Sequence, residues 1–193
     1  MSDLDRPQHL QATNETKDSI LSVTTEQEFA ELIRKTAEGE ISFQQFLSLT
    51  NQDVENITIM AHTLYEEDRL DEALVLIEGL IALNDKNSVY YNAAGAIFIR
   101  QEKYDEALAA LNKAIELDPN NLDAYVNRGE VYLVTAHLEE AAADFEKAIS
   151  MDPREENPSA NRARQLVWGM YQLLRECEKE GFLDPDFEID VNS

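Results

Sequence analysis

A single cysteine, Cys177, stands in a chain of 193 residues. No intramolecular disulfide can form, which fits a reducing compartment. Histidine is nearly as scarce: His9, His62 and His137 are scattered, with no His or Cys partner at metal-ligand spacing. The six glycines make no phosphate-binding loop, and no Gly-x-Ser-x-Gly turn presents a serine nucleophile. Positive charge is short as well. Against 39 Asp and Glu there are 16 Lys and Arg, a formal net charge of −23. Such a surface repels phosphate backbones and anionic lipid, so neither nucleic acid nor membrane is an expected partner. No apolar run approaches the roughly 20 residues that span a bilayer. The opening Met1-Ser2-Asp3-Leu4-Asp5-Arg6 has neither a basic stretch nor an apolar core, so no secretory signal is expected and the chain reads as cytosolic. The many carboxylates read as solvated helical faces. Neither a catalytic constellation nor a cofactor is expected.

What the chain does have is a period. Asp71-Glu72-Ala73, Asp105-Glu106-Ala107 and Glu139-Glu140-Ala141 follow one another at intervals of 34 residues. Ala61, Gly95 and Gly129 share the interval. Small residues at those places let two helices approach closely, where a larger side chain would push them apart. Leu64, Phe98 and Tyr132 fill the next turn of the first helix, and Ile77, Leu111 and Phe145 answer from the second. Leu80, Ala114 and Ala148 extend the apolar set. A helix–turn–helix unit of 34 residues is the tetratricopeptide repeat. The expected fold is therefore all-α: three such repeats in a right-handed superhelical array, with N-terminal helices and a C-terminal capping helix.

The organisation follows. Residues 1–23 are polar and aperiodic, a flexible arm. Residues 24–52 form an N-terminal helical region, in which Thr25 and Glu28 make a capping box ahead of Phe29, Leu32 and Ile33. Gly39 ends that helix, Ser42 caps a short one with Phe43, Phe46 and Leu47, and Asn51-Gln52-Asp53 breaks the pattern. The repeats occupy 53–156, punctuated by Asp118-Pro119 and Asp152-Pro153. A capping helix over 157–180 carries the stripe Ala160, Ala163, Val167, Met170, Leu174 and Cys177, with Trp168 and Tyr171 adding contact area. An acidic tail, 181–193, closes the chain.

Repeat arrays of this kind present the first helix of each repeat to a peptide partner. By analogy with the repeat family, Thr58, His62 and Tyr65 line that wall in the first repeat. Val89, Asn92, Ala96, Ile99 and Arg100 line it in the second, and Val126, Glu130 and Leu133 in the third. An apolar strip runs among polar neighbours, and Asn92 can bond the backbone of an extended chain through its amide. A stiff segment with prolines suits such a groove, because it loses little entropy on binding. Asn127-Arg128 resembles part of the clamp by which other repeat proteins hold acidic chaperone C-termini, but Glu55 and Glu66 stand where further cations are needed.

Met60-Ala61-His62-Thr63-Leu64-Tyr65, and Asn87-Ser88-Val89-Tyr90-Tyr91 before Gly95-Ala96, carry a closer likeness. With Glu38-Gly39-Glu40-Ile41-Ser42, they resemble the class II chaperones of type III secretion, which guard translocator proteins. Thr58 stands where that family usually has an aromatic residue. The resemblance implies a non-enzymatic chaperone of the bacterial cytoplasm whose client is a hydrophobic translocator, held by an N-terminal segment in the groove. It also implies a homodimer through the N-terminal helices. The alternative is a generic tetratricopeptide-repeat scaffold or co-chaperone joining cytosolic proteins.

Overall fold

The computed structural model describes residues 35, 39–40, 42–47 and 49–180. The arm over 1–23, the helix start at Thr25 with its stripe of Phe29, Leu32 and Ile33, and the tail from 181 lie outside the described residues. The described residues form helices joined by turns, with no strand among them. Two compact units divide between Asn87 and Ser88.

The first unit contains α1 (Phe43–Phe46), α2 (Asn51–Glu66) and α3 (Leu70–Leu83). Gly39 has a φ of 75°, and the Glu40 N–H bonds the Lys35 carbonyl at 2.8 Å, the glycine-dependent closure of a helix end. Ser42 caps α1 as its sequence position suggests: its hydroxyl accepts from the Gln45 N–H, and Gln45 reaches back to the Ser42 N–H. Asn51-Gln52-Asp53, read as a break in the helical pattern, instead forms the first turn of α2. The signal is the pair Thr50 and Asp53, a reciprocal capping box in which each side chain accepts from the other's backbone N–H.

The second unit contains α4 (Ser88–Arg100), α5 (Tyr104–Leu117), α6 (Leu122–Val134), α7 (Leu138–Met151) and α8 (Pro158–Lys179). Helices pair as hairpins: α2 with α3, α4 with α5, and α6 with α7. One turn closes all three. Asp68, Glu102 and Ala136, spaced by the repeat, sit at φ of 62°, 58° and 63°. The residue after each sends its N–H back to a carbonyl five residues earlier, as from His137 to Tyr132 at 2.8 Å. None of the three is glycine or asparagine, so composition does not announce the turn.

Inside each hairpin of the second unit the helices touch at glycine. A Cβ on Gly95 would lie 2.6 Å from the Leu111 side chain, and one on Gly129 would lie 2.6 Å from the Phe145 ring. Ala73, Ala107 and Ala141 are fully buried, as are Leu80, Ala114 and Ala148. The capping helix α8 starts at an Asn157 cap with Pro158 in its first turn, and it packs on both α6 and α7. Its own Ala160 and Ala163 are fully buried, and its Val167 and Met170 pack on the cluster around Phe145. Trp168 and Tyr171 depart from expectation. Trp168 is 66% exposed and Tyr171 also faces solvent, because their positions fall on the flank of α8 away from Ala163.

One buried charge pair stands out in the third repeat. Arg128 makes two 2.7 Å bonds to Asp144, donates to Asn112 of α5 at 2.6 Å, and lies over the rings of Tyr125 and Tyr132. The bonds to Asp144 raise the Arg128 pKa further despite burial. The same register holds Ala94 and Ala110 in the second repeat. Removing one partner strands the other charge. Asp144→Ala is expected to cost about 3–5 kcal/mol in urea unfolding. The double change Arg128→Ala/Asp144→Ala should cost less than Asp144→Ala alone, since no buried charge is then left unpaired.

Candidate functional site

In the second unit the first helices α4, α6 and α8 lie side by side. A polar ladder crosses them. The Asn127 amide donates to the Asn92 carbonyl oxygen at 2.9 Å, and the Asn127 carbonyl oxygen accepts from Arg162 at 2.8 Å. Arg162 also pairs with Glu130 at 2.8 Å. The rungs stand 35 residues apart, one more than the repeat, because each side chain reaches from the flank of one helix to the facing flank of the next. Sequence reading placed Asn92 and Glu130 on the wall. It missed Arg162, which lies beyond the repeats, and took Asn127 only as a fragment of an anion clamp. A search at the period plus one residue finds both.

Apolar groups border the ladder. Val89 and Val134 are exposed, and Ile99 and Leu133 are half-buried on the clusters beneath. Ala96 is half-buried, and Arg100 faces solvent. Leu166, Gly169 and Leu173 follow Arg162 by four, seven and eleven residues, so they share its face of α8. Leu173 is exposed, and Gly169 has open space around it. The capping helix thus continues the wall as well as covering the core.

Val126 is a correction. It is fully buried in the cluster of Ala141, Phe145, Ala148 and Ala163, because α8 seats on the third repeat and covers that position. Arg128, which with Asn127 resembles part of an anion clamp, is committed to Asp144 and Asn112. In the first unit Thr58 is half-buried and donates its hydroxyl to the Val54 carbonyl at 2.9 Å. His62 is exposed and 3.9 Å from Glu66, and Tyr65 is half-buried. Among the described residues, no group of three or more His, Cys, Asp or Glu is placed to hold a metal ion. No described helix is long and apolar enough to cross a membrane.

With this geometry the chain can be set beside known proteins. Residues 95–134 match the TPR repeat family, and residues 122–155 match the tetratricopeptide repeat. No curated protein sequence matches the chain. Among solved structures it is similar to the type III secretion translocator chaperone SycD of Yersinia enterocolitica, with a TM-score of 0.60 at 16% identity over 67% of this chain and 98% of that one. The TPR2B domain of yeast Sti1, in its pHsp70 complex, gives 0.57 at 22% identity over 62% and 97%. PcrH in complex with the chaperone binding region of PopB gives 0.56 at 20% identity over 61% and 96%. The fold is all-α and of the tetratricopeptide-repeat type. Within it, SycD is a type III secretion translocator chaperone, PcrH is bound to a chaperone binding region, and the Sti1 domain is bound in a pHsp70 complex.

Glu130 gives the wall a pH signature. Burial pushes its carboxyl above the ordinary glutamate range, and the half-exposed Arg162 beside it only partly opposes that rise. A carboxyl whose folded pKa is raised supports the fold at low pH, and that support is lost as pH rises through the folded value. Arg162→Ala removes the opposing charge, so the loss should deepen and move to higher pH. Glu130→Gln should flatten it. Thermal unfolding across the weakly acidic range checks both, and identical profiles for the three proteins would remove the coupling.

Proposed function

We propose that the chain is a non-enzymatic chaperone of type III secretion, holding a hydrophobic translocator soluble by gripping an extended segment along its first helices. The observation that carries this reading is the wall itself. Its polar ladder is charge-compensated, since Arg162 is matched by Glu130, and exposed Val89, Val134 and Leu173 border it. Exposed apolar groups on a wall of this sort favour a partner that covers them. The Asn92 carbonyl oxygen accepts from Asn127, and in this reading its amide nitrogen donates to a peptide carbonyl. An acidic tail finds no matched clamp, because Arg128 is turned into the repeat. Thr58, His62 and Tyr65 belong to this proposal by repeat register alone. Likeness to SycD and to PcrH supports it.

The physical logic is simple. A membrane-inserting client aggregates through its apolar segments, and burying part of them in an acidic partner withdraws that surface from water. Release needs no nucleotide, since binding stabilises by mass action. The second reading, a scaffold or co-chaperone among cytosolic proteins, draws on the likeness to the Sti1 domain.

Co-expression separates the two. A secretion chaperone should keep a translocator-type, membrane-active protein soluble and co-purify with it. If such proteins stay insoluble and only ordinary cytosolic proteins co-purify, the scaffold reading wins. Val89→Glu with Leu173→Glu should weaken client-segment binding by at least about tenfold with helicity retained, since both side chains already face solvent. Unchanged affinity would place the client elsewhere.

A further inference from the structure

The polar ladder has a counterpart further along the same helices. Seven residues on, Asn92 gives way to Ile99, Asn127 to Val134 and Arg162 to Gly169. Seven residues are close to two full turns, so each helix presents nearly the same flank again, about 10 Å along its axis. The facing of α6 and α8 holds there too, because Leu133 and Leu166 pack on one buried cluster around Phe145. This second rung is apolar, and its last member has no side chain. Ile99 is half-buried and Val134 is 60% exposed. A Cβ on Gly169 would meet nothing within 4 Å. Leu173, one turn beyond, is 66% exposed.

The glycine has no internal duty among the described residues. Gly95 and Gly129 make room for Leu111 and Phe145, but Gly169 makes room for no side chain of this kind. It lies inside α8, where glycine weakens a helix relative to alanine. A weakening residue sits where exposed Val134 and Leu173 border open space on the wall. That combination suits a group supplied from outside the chain. Charge narrows which group. On this face of α8, Arg162 is already paired with Glu130, and Glu176 with Lys179, each at 2.8 Å. An ionised side chain entering the gap would lose water and gain no counter-ion.

We propose that Gly169 floors an anchor site at the α6–α8 end of the wall, which takes one bulky, uncharged, apolar side chain of the bound segment, of leucine to phenylalanine size. The inference rests on the groove reading above and deepens it. The anchor lies between Val134 and Leu173. The ladder meets the segment about 10 Å away, a distance that about three extended residues span. The segment therefore carries its large apolar residue about three positions from its contact with the ladder. A small residue there leaves the gap empty, and a charged one is rejected.

Random peptides of about twelve residues, displayed on phage and selected on the full chain, supply the probe. Those kept bind the wild-type protein and not Val89→Glu, a change on α4 that reports the wall without touching the anchor site. The kept peptides should share one bulky apolar position, and its change to alanine should weaken binding at least about tenfold. Gly169→Leu fills the gap and should weaken the unchanged peptides by a similar factor. The alanine-changed peptides should bind Gly169→Leu as well as they bind wild type, since they bring no side chain to exclude. Gly79→Leu is the control, because the glycine of α3 is equally open but lies on a second helix. It should leave affinity unchanged. Kept peptides that bind Gly169→Leu as tightly as wild type would overturn the anchor site and leave the wall reading standing. If no peptide distinguishes wild type from Val89→Glu, both fall. A further measurement needs no ligand. Gly169→Ala should raise Tm by about 2–4 °C, as expected for a helix glycine without an internal duty. A lowered Tm would give Gly169 a role in the fold and overturn the proposal.

Discussion

The contact on which the rest depends is the one between a glycine and the large side chain opposite it. Gly95 meets Leu111 and Gly129 meets Phe145, each without room for a methyl group. Leu111 and Phe145 are wholly buried, each between its own hairpin and the helix that follows. Alanines at Ala107 and Ala141 continue the contact along the second helices. A hairpin that satisfies its apolar interior in this way leaves the outer flank of its first helix free. Those free flanks, set side by side by α4, α6 and α8, make the candidate binding wall. The candidate wall is a by-product of tight packing one layer below.

Polar groups then set how the layers meet. Arg128, Asp144 and Asn112 tie the third repeat to the second helix of the repeat before it, where the preceding register has only alanines. Such a pair adds little net stability over an apolar replacement, but it penalises a misplaced neighbour that leaves either charge alone. Asp152 works similarly at the end of the third repeat. Burial pushes its carboxyl up, but Arg164 and the amides of Glu156 and Asn157 outweigh that and hold it below the usual aspartate range. Its contribution is therefore present above the ordinary aspartate pKa and fades as pH falls through the lowered value. The junction that seats α8 thus depends on a carboxylate. On the wall, Glu130 pairs with Arg162 and offsets its charge.

Much of this was legible because a period of 34 residues repeats physical requirements as well as letters. Ala73, Ala107 and Ala141, and Ala61, Gly95 and Gly129 on the first helices, could be named as contact points from spacing alone. What escaped the sequence has definite causes. The turns at Asp68, Glu102 and Ala136 adopt a left-handed backbone without the residues that usually advertise it. The ladder from Asn92 to Arg162 advances one residue beyond each period, so alignment by repeat hides it. Val126 occupies a wall position in register, yet α8 covers it, and a repeat pattern cannot say which of its positions the cap consumes. Trp168 was read as packing because it is large and apolar, whereas its place on the helix turns it outward.

The central claim is that close helix approach at glycine, rather than helix propensity, governs these repeats. The unfolding free energy of Gly129→Ala tests it most directly, because the two effects have opposite signs. Propensity alone predicts a gain of about 1 kcal/mol for alanine in a helix interior. Contact with the Phe145 ring predicts a loss of about 1–3 kcal/mol, recovered in part when Phe145→Ile makes room. A stabilised Gly129→Ala protein would contradict the account.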